Sequence, residues 1–199
     1  MAIHYMAILG RMIDKVTFRY LLVDEDGRAE VKLPNIKQVQ VTKALIATGS
    51  SYSANDVLSE SLLAGTSWGF PGLARIMGGS GYITKAVVQC QAEAQTDRLT
   101  MFLFNRPPTG CNLNDNVANT APDIADVASY QGVIDWSALS TIGTTDSVSI
   151  VTPSTTGNLP VAFTCAEGDD SLYGVLVSRD GNTLTAGESV YVTLTVEQN

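Results

Sequence analysis

Residues 189–196 read Ser-Val-Tyr-Val-Thr-Leu-Thr-Val, and their alternation decides the fold class. Val190, Val192, Leu194 and Val196 share one phase; Tyr191, Thr193, Thr195 and Glu197 share the other. Successive side chains of a strand point to opposite faces, so a period of two describes a strand with one buried face and one solvated face. Working outward, further extended runs fall at 172–178, 159–165, 147–151 and 133–136. Turn residues separate them at Gly157-Asn158, Gly168-Asp169-Asp170 and Asp180-Gly181-Asn182, where Gly, Asn and Asp accept the backbone angles of a reversal.

The same period runs through 83–92, with Ala86, Val88, Cys90 and Ala92 on one phase and Lys85, Gln89 and Gln91 on the other. Residues 98–105 (RLTMFLFN) are apolar on both phases, which predicts a central strand covered on both faces. Gly- and Ser-rich sequence over 47–81 predicts connections with short strands between them, and 56–63 reads as extended. Residues 111–131 form a long polar connection, and Thr120, Pro122 and Asp123 resemble a helix start. A short helix over 122–129, with Ile124 and Val127–Ala128 turned inward, is the only one expected.

Near the N-terminus, 16–23 (VTFRYLLV) and a run from 29 to 34 flank the turn Asp24-Glu25-Asp26-Gly27, a hairpin pattern. Over 38–46, Val39 and Val41 oppose Gln38, Gln40 and Thr42. Many short strands without intervening helices predict a mainly β fold. It is an antiparallel β-sandwich, jelly-roll-like. An N-terminal arm and β-hairpin span 1–46, the sandwich domain spans 47–199, and there is at most one short helix.

Composition restricts function. Hydrophobic residues are 45% of the 199, enough for a sizeable core, while charged residues are only 16% against about 25% in an average chain. Neutral polar residues must therefore cover much of the surface, which suits packing against copies or partners. The net charge is −8 without a basic cluster. Direct nucleic-acid binding and attachment to an anionic membrane both need clustered Lys and Arg, and neither is expected. No segment approaches the ~20 apolar residues of a membrane-spanning helix, and the first ten residues lack the features of a signal peptide. Cys90, Cys111 and Cys165 are odd in number and scattered, which predicts free thiols made in a reducing cytoplasm. Cys90 and Cys165 read as small buried hydrophobes.

No catalytic, cofactor-binding or metal-binding residues, and no cofactor, are expected from the sequence. The single histidine, His4, sits in the arm, a poor place for a preorganised base. One histidine and three scattered cysteines make no recognisable zinc site. Gly78-Gly79-Ser80-Gly81 precedes a strand and lacks the Lys of a phosphate loop, so it reads as a turn. Asn112, Asn114, Asp115 and Asn116 alternate oxygens but lack the glycine and glutamate of a calcium loop; they read as a solvated loop, as do Asp24, Glu25 and Asp26. Trp68 with Phe70, and Trp136 with Tyr130, could form a sugar-stacking platform, but aromatics at strand ends are more often core edge or subunit contact, and that reading is favoured.

Several stretches recur in order from Ser53 onward: ANDVLS (54–59), GSGYI (79–83), LTMFLFNRP (99–107), LNDN (113–116) and LYGVLVSR (172–179). Together they resemble a family of capsid cement, or decoration, proteins of tailed bacteriophages. The resemblance covers roughly the last three quarters of the chain and none of the first 45 residues. It implies a non-enzymatic structural protein of the virion: a β-sandwich homotrimer on the outer capsid surface, contacting the major capsid protein lattice after synthesis in the host bacterial cytoplasm. The alternative from the residues alone is a head- or tail-fibre module that binds host glycan or receptor through loops at one end of the sandwich. A hydrolase on the same scaffold would depend on His4. A shell-forming major capsid protein is a weaker fourth option, because the chain is short for that role and lacks the long spine helix of the common tailed-phage capsid fold.

Overall fold

A computed structural model of the chain describes residues 35–46, 51–154, 158–181 and 187–199. The chain divides into two compact units, Met1–Leu33 and Pro34–Asn199. The described residues all belong to the second unit; the expected hairpin at 16–34, Asp24, Glu25, Asp26 and His4 lie outside them.

The described residues form ten strands and one 3-10 turn: β1 (Asn35–Ala44), β2 (Trp68–Phe70), β3 (Ser80–Cys90), β4 (Leu99–Phe104), β5 (Tyr130–Asp135), β6 (Ser140–Thr141), β7 (Ser147–Val151), β8 (Val161–Thr164), β9 (Leu172–Ser178) and β10 (Ser189–Gln198). The expectation of a mainly β, antiparallel sandwich holds. In β10 the four aliphatic side chains of one phase, from Val190 to Val196, are completely buried. β10 pairs antiparallel with β1 on one side and β3 on the other. β3 is long enough to serve two further partners in succession, β8 along its first half and β7 along its second. The resulting six-stranded sheet runs β1-β10-β3-β7-β6, with β8 also on β3.

The second sheet runs β2-β9-β4-β5. β4 is covered on both faces, as its sequence predicts. Leu99, Met101 and Leu103 enter the main core between the sheets, with Trp68, Phe70, Ile83 and Leu194. Phe104 joins Val175, Val177, Val57, Cys111 and Ala121 in a second cluster on the outer side. Gly174 of β9 lies where a Cβ would come 2.8 Å from Met101 Sδ, so the missing side chain lets Met101 pack closely over the strand.

Two expectations are revised. Residues 35–44, expected within the arm, form the edge strand of the six-stranded sheet. The helix of 122–129 contracts to Ile124–Asp126, capped by the Asp123 side chain accepting from Ala125 N. Ile124 is 83% exposed and Val127 59%, because the inward position is held by Asp126, whose carboxylate accepts from the amides of Thr109 and Gly110. The favoured reading of Trp68 and Trp136 as core residues holds: both are interior. Their indole N–H groups donate to Leu58 O at 3.0 Å and Ala86 O at 3.2 Å, leaving neither ring as a platform.

Candidate functional site, a buried polar cluster beneath two interlocked loops

Two long connections, 51–67 and 105–129, are stitched together beside β9. Backbone bonds join Val57 N to Val117 O (2.9 Å), Asn116 N to Val57 O (2.9 Å), Asn119 N to Asn55 O (2.8 Å) and Asp115 N to Ser61 O (2.7 Å). Val57 also forms a bridge with Val177 of β9. Residues 55–58 thus extend the four-stranded sheet and carry the second loop on their far side. The approach is close at Gly65, where a Cβ would stand 1.9 Å from Leu113 O. Gly65 N donates to Asn114 Oδ1 at 3.0 Å.

Asp115 is 0% exposed. Its carboxylate accepts from Tyr52 Oη at 2.9 and 3.0 Å and from Ser59 N at 2.8 Å. Burial raises its pKa above the ordinary carboxylate range, against the pull of the Ser59 amide, the Tyr52 hydroxyl and the Asn116 amide. The same burial, joined by the Asp115 charge, pushes the Tyr52 phenol up, so the hydroxyl is a committed donor.

Beside it, Lys43 reaches inward from β1. Its Nζ lies 2.5 Å from Glu60 Oε2, donates to Thr66 O and Thr66 Oγ1, and sits 5.4 Å from the centre of the Trp68 ring. Glu60 also accepts from Thr66 N at 2.9 Å and Ser59 Oγ at 2.7 Å. Burial lowers the Lys43 pKa, and the Glu60 partner opposes without cancelling it. For Glu60 burial pushes upward, but the hydrogen bonds from Lys43, Thr66 and Ser59 outweigh it and hold the carboxyl at about 2. The cluster therefore ties β1 to the first loop, and the first loop to the second.

Chemically this arrangement holds position. Every group named has a partner, and Ser59 and Tyr52 are each 1% exposed, so neither hydroxyl can meet a substrate in this conformation. The three thiols are also buried. Burial pushes Cys90 up to about 12, and Cys111 and Cys165 up to about 11, so at neutral pH they are thiols and poor nucleophiles. Among the described residues no group of three or more His, Cys, Asp or Glu is placed to hold a metal ion, and no helix is long and apolar enough to cross a membrane.

The reading of 112–116 as a solvated loop is corrected at Asp115, which is the most buried member of the cluster. An Asx-rich run gives no sign of which carboxylate a distant tyrosine will reach. Tyr52, Ser59 and Glu60 were not singled out by the sequence. Lys43 had a signal: it shares the phase of Val39, Val41 and Leu45, which marks an inward lysine needing an anion.

No family model matches the chain, and no curated protein does. Among solved structures, one chain of a cyanophage Pam1 capsid asymmetric unit aligns at 12% identity with a TM-score of 0.31, covering 94% of this chain and 100% of its own. A chain of a marine algae virus of the order Picornavirales aligns at 15% identity and a TM-score of 0.23, covering 100% of this chain and 87% of its own. Both scores are too low to carry an argument about fold or function.

Proposed function

We propose that this chain is a structural virion protein: a capsid cement or decoration protein that binds the outside of a tailed-phage head as a homotrimer and braces contacts between major capsid proteins. The observation that carries the reading is strand order. β1-β10-β3-β7 faces β2-β9-β4-β5, and we read this order as a jelly roll, the double-sheet architecture of viral capsid domains, lectins and cupins. The space between the sheets is filled by Trp68, Phe70, Met101, Ile83 and their neighbours, so it supports the packed scaffold of a structural subunit over a cupin's ligand cavity. Loops locked at both main chain and side chain suit a protein that bears load. The ordered stretches from 54 to 179 that resemble cement proteins add to the case.

The glycan-binding alternative relied on Trp68 or Trp136 as stacking surfaces, and both rings are interior. Co-sedimentation with empty heads lacking the protein tests the proposal. Saturable loading of a trimer is expected. Protein that stays in the supernatant at every concentration overturns the reading.

A further inference from the structure

The two sheets differ in what lies on their outer sides. Beyond the four-stranded sheet, the chain's own loops bury Val175, Val177 and Phe104 in the second apolar cluster. Among the described residues no such cluster forms over the outer side of the six-stranded sheet, where Tyr82 is 45% and Ile150 49% exposed. The outward positions align in rows across the strands. One row runs Gln40, Thr193, Val87, Ile150, from β1 through β10 and β3 to β7. At the β7 edge, Val148 and Ile150 help to line a shallow cup of about 230 Å³ with Ile142, Ser137 and Ser140.

Charge is scarce on this face. At the outward positions of these strands stand one cation, Lys85, and one anion, Glu197. The whole chain carries −8. Two copies of an acidic protein repel wherever their loops meet, and only a face with no net charge lets them approach without that cost. Its size fits as well. Three strands of ten or eleven residues, with the shorter β7 and β8 following one another along the outer side of β3, span roughly 600 Å² at about 4.8 Å between strands and about 3.3 Å per residue, against about 800 Å² per partner in a standard interface. The rims and the cup supply the remainder.

We infer that the outer face of the six-stranded sheet is a self-association surface, occupied by the same face of a second copy. An isologous contact places each face against its own twin, so the partner's single cation and single anion balance those of the first copy. The inference is independent of the virion reading. Where that reading holds, the contact links subunits of neighbouring trimers.

Sedimentation velocity across a dilution series, at low ionic strength, reads the association. The wild type should show an even-numbered species, a dimer or a pair of trimers, that dissociates on dilution. Lys85→Glu or Glu197→Lys alone puts like charge on both faces and should weaken association by about tenfold or more; the double reversal should restore it to within about threefold. Circular dichroism checks that each variant is folded. As a second measurement on the wild type, chemical nitration of Tyr82 and Tyr191 should be suppressed at high protein concentration and proceed on dilution. The inference is overturned if only monomer or trimer sediments at all concentrations, or if single reversals leave association unchanged. It is also overturned if both tyrosines stay protected at every dilution, which would mean that something other than a second copy covers the face.

Discussion

Tyr52 and Asp115 lie 63 positions apart, yet the phenolic oxygen of one sits 2.9 and 3.0 Å from the two carboxylate oxygens of the other. The contact is fully enclosed and adds a side-chain tie to two loops already joined by main-chain hydrogen bonds. Tyr52→Phe removes this donor from a buried carboxylate. It should lower stability by about 1–3 kcal/mol in denaturant unfolding. Asp115→Asn, which can still accept from Ser59 N, should cost less than Asp115→Ala. An Ala variant as stable as the wild type would show that the carboxylate ties nothing together.

Lys43 and Glu60 should behave as one unit. Lys43→Met leaves Glu60 without its cation, and Glu60→Gln leaves a buried ammonium. Each should destabilise by about 2 kcal/mol, and the double variant should lose less than the sum, with a coupling energy of about 1 kcal/mol or more. Additive losses would mean that the 2.5 Å contact contributes nothing as a pair.

The same glutamate sets an acid limb. Its folded pKa, about 2, lies below its unfolded value of 4.5. The unfolded state therefore binds more protons in that window, and stability falls as pH drops from about 4.5 towards 2. Because the side chain is 31% exposed, screening limits the effect to about 1–2 kcal/mol. Asp115 works in the opposite sense: its raised pKa makes the folded state the better proton acceptor, so its protonation offsets part of the loss. Glu60→Gln should flatten the decline in a pH series of thermal melts, and an unchanged acid limb would contradict the assignment.

Two glycines should respond differently to the same change. At Gly65 a methyl group would strike the Leu113 carbonyl, which is backbone, whereas at Gly174 it would meet the flexible end of Met101. Gly65→Ala should cost about 3 kcal/mol and make 51–67 and 105–129 easier to cleave with protease; Gly174→Ala should cost about 1 kcal/mol. Equal costs would mean that the loop contact yields as readily as a methionine side chain.

Raised thiol pKa values at Cys90, Cys111 and Cys165 predict slow reaction with an aromatic disulfide reagent at pH 8, and fast release of three equivalents once denaturant is added. Rapid labelling of the native protein would contradict their burial.

How far the sequence could be read depended on periodicity. β10 and β4 were legible because a run of aliphatic residues at a period of two, or at every position, leaves a strand few alternatives. The Asp-capped turn at 123–126 was located correctly but read as too long, since a short helix and a single turn share the same start signal. Asp115 was illegible for a different reason. Its neighbours Asn114 and Asn116 offer similar chemistry, and only the path of a loop 63 residues away decides which side chain is enclosed. The edge strand β1 was read as extended, yet its membership of the sheet depended on pairing with β10, a long-range choice that alternation does not specify.

Thermal rupture of empty heads, followed by light scattering as purified protein is added, tests the structural role most directly. A ligand of the assembled shell stabilises it by mass action, so the rupture temperature should climb with concentration and level off when sites are full. A rupture temperature that stays fixed in the presence of saturating protein would contradict the account.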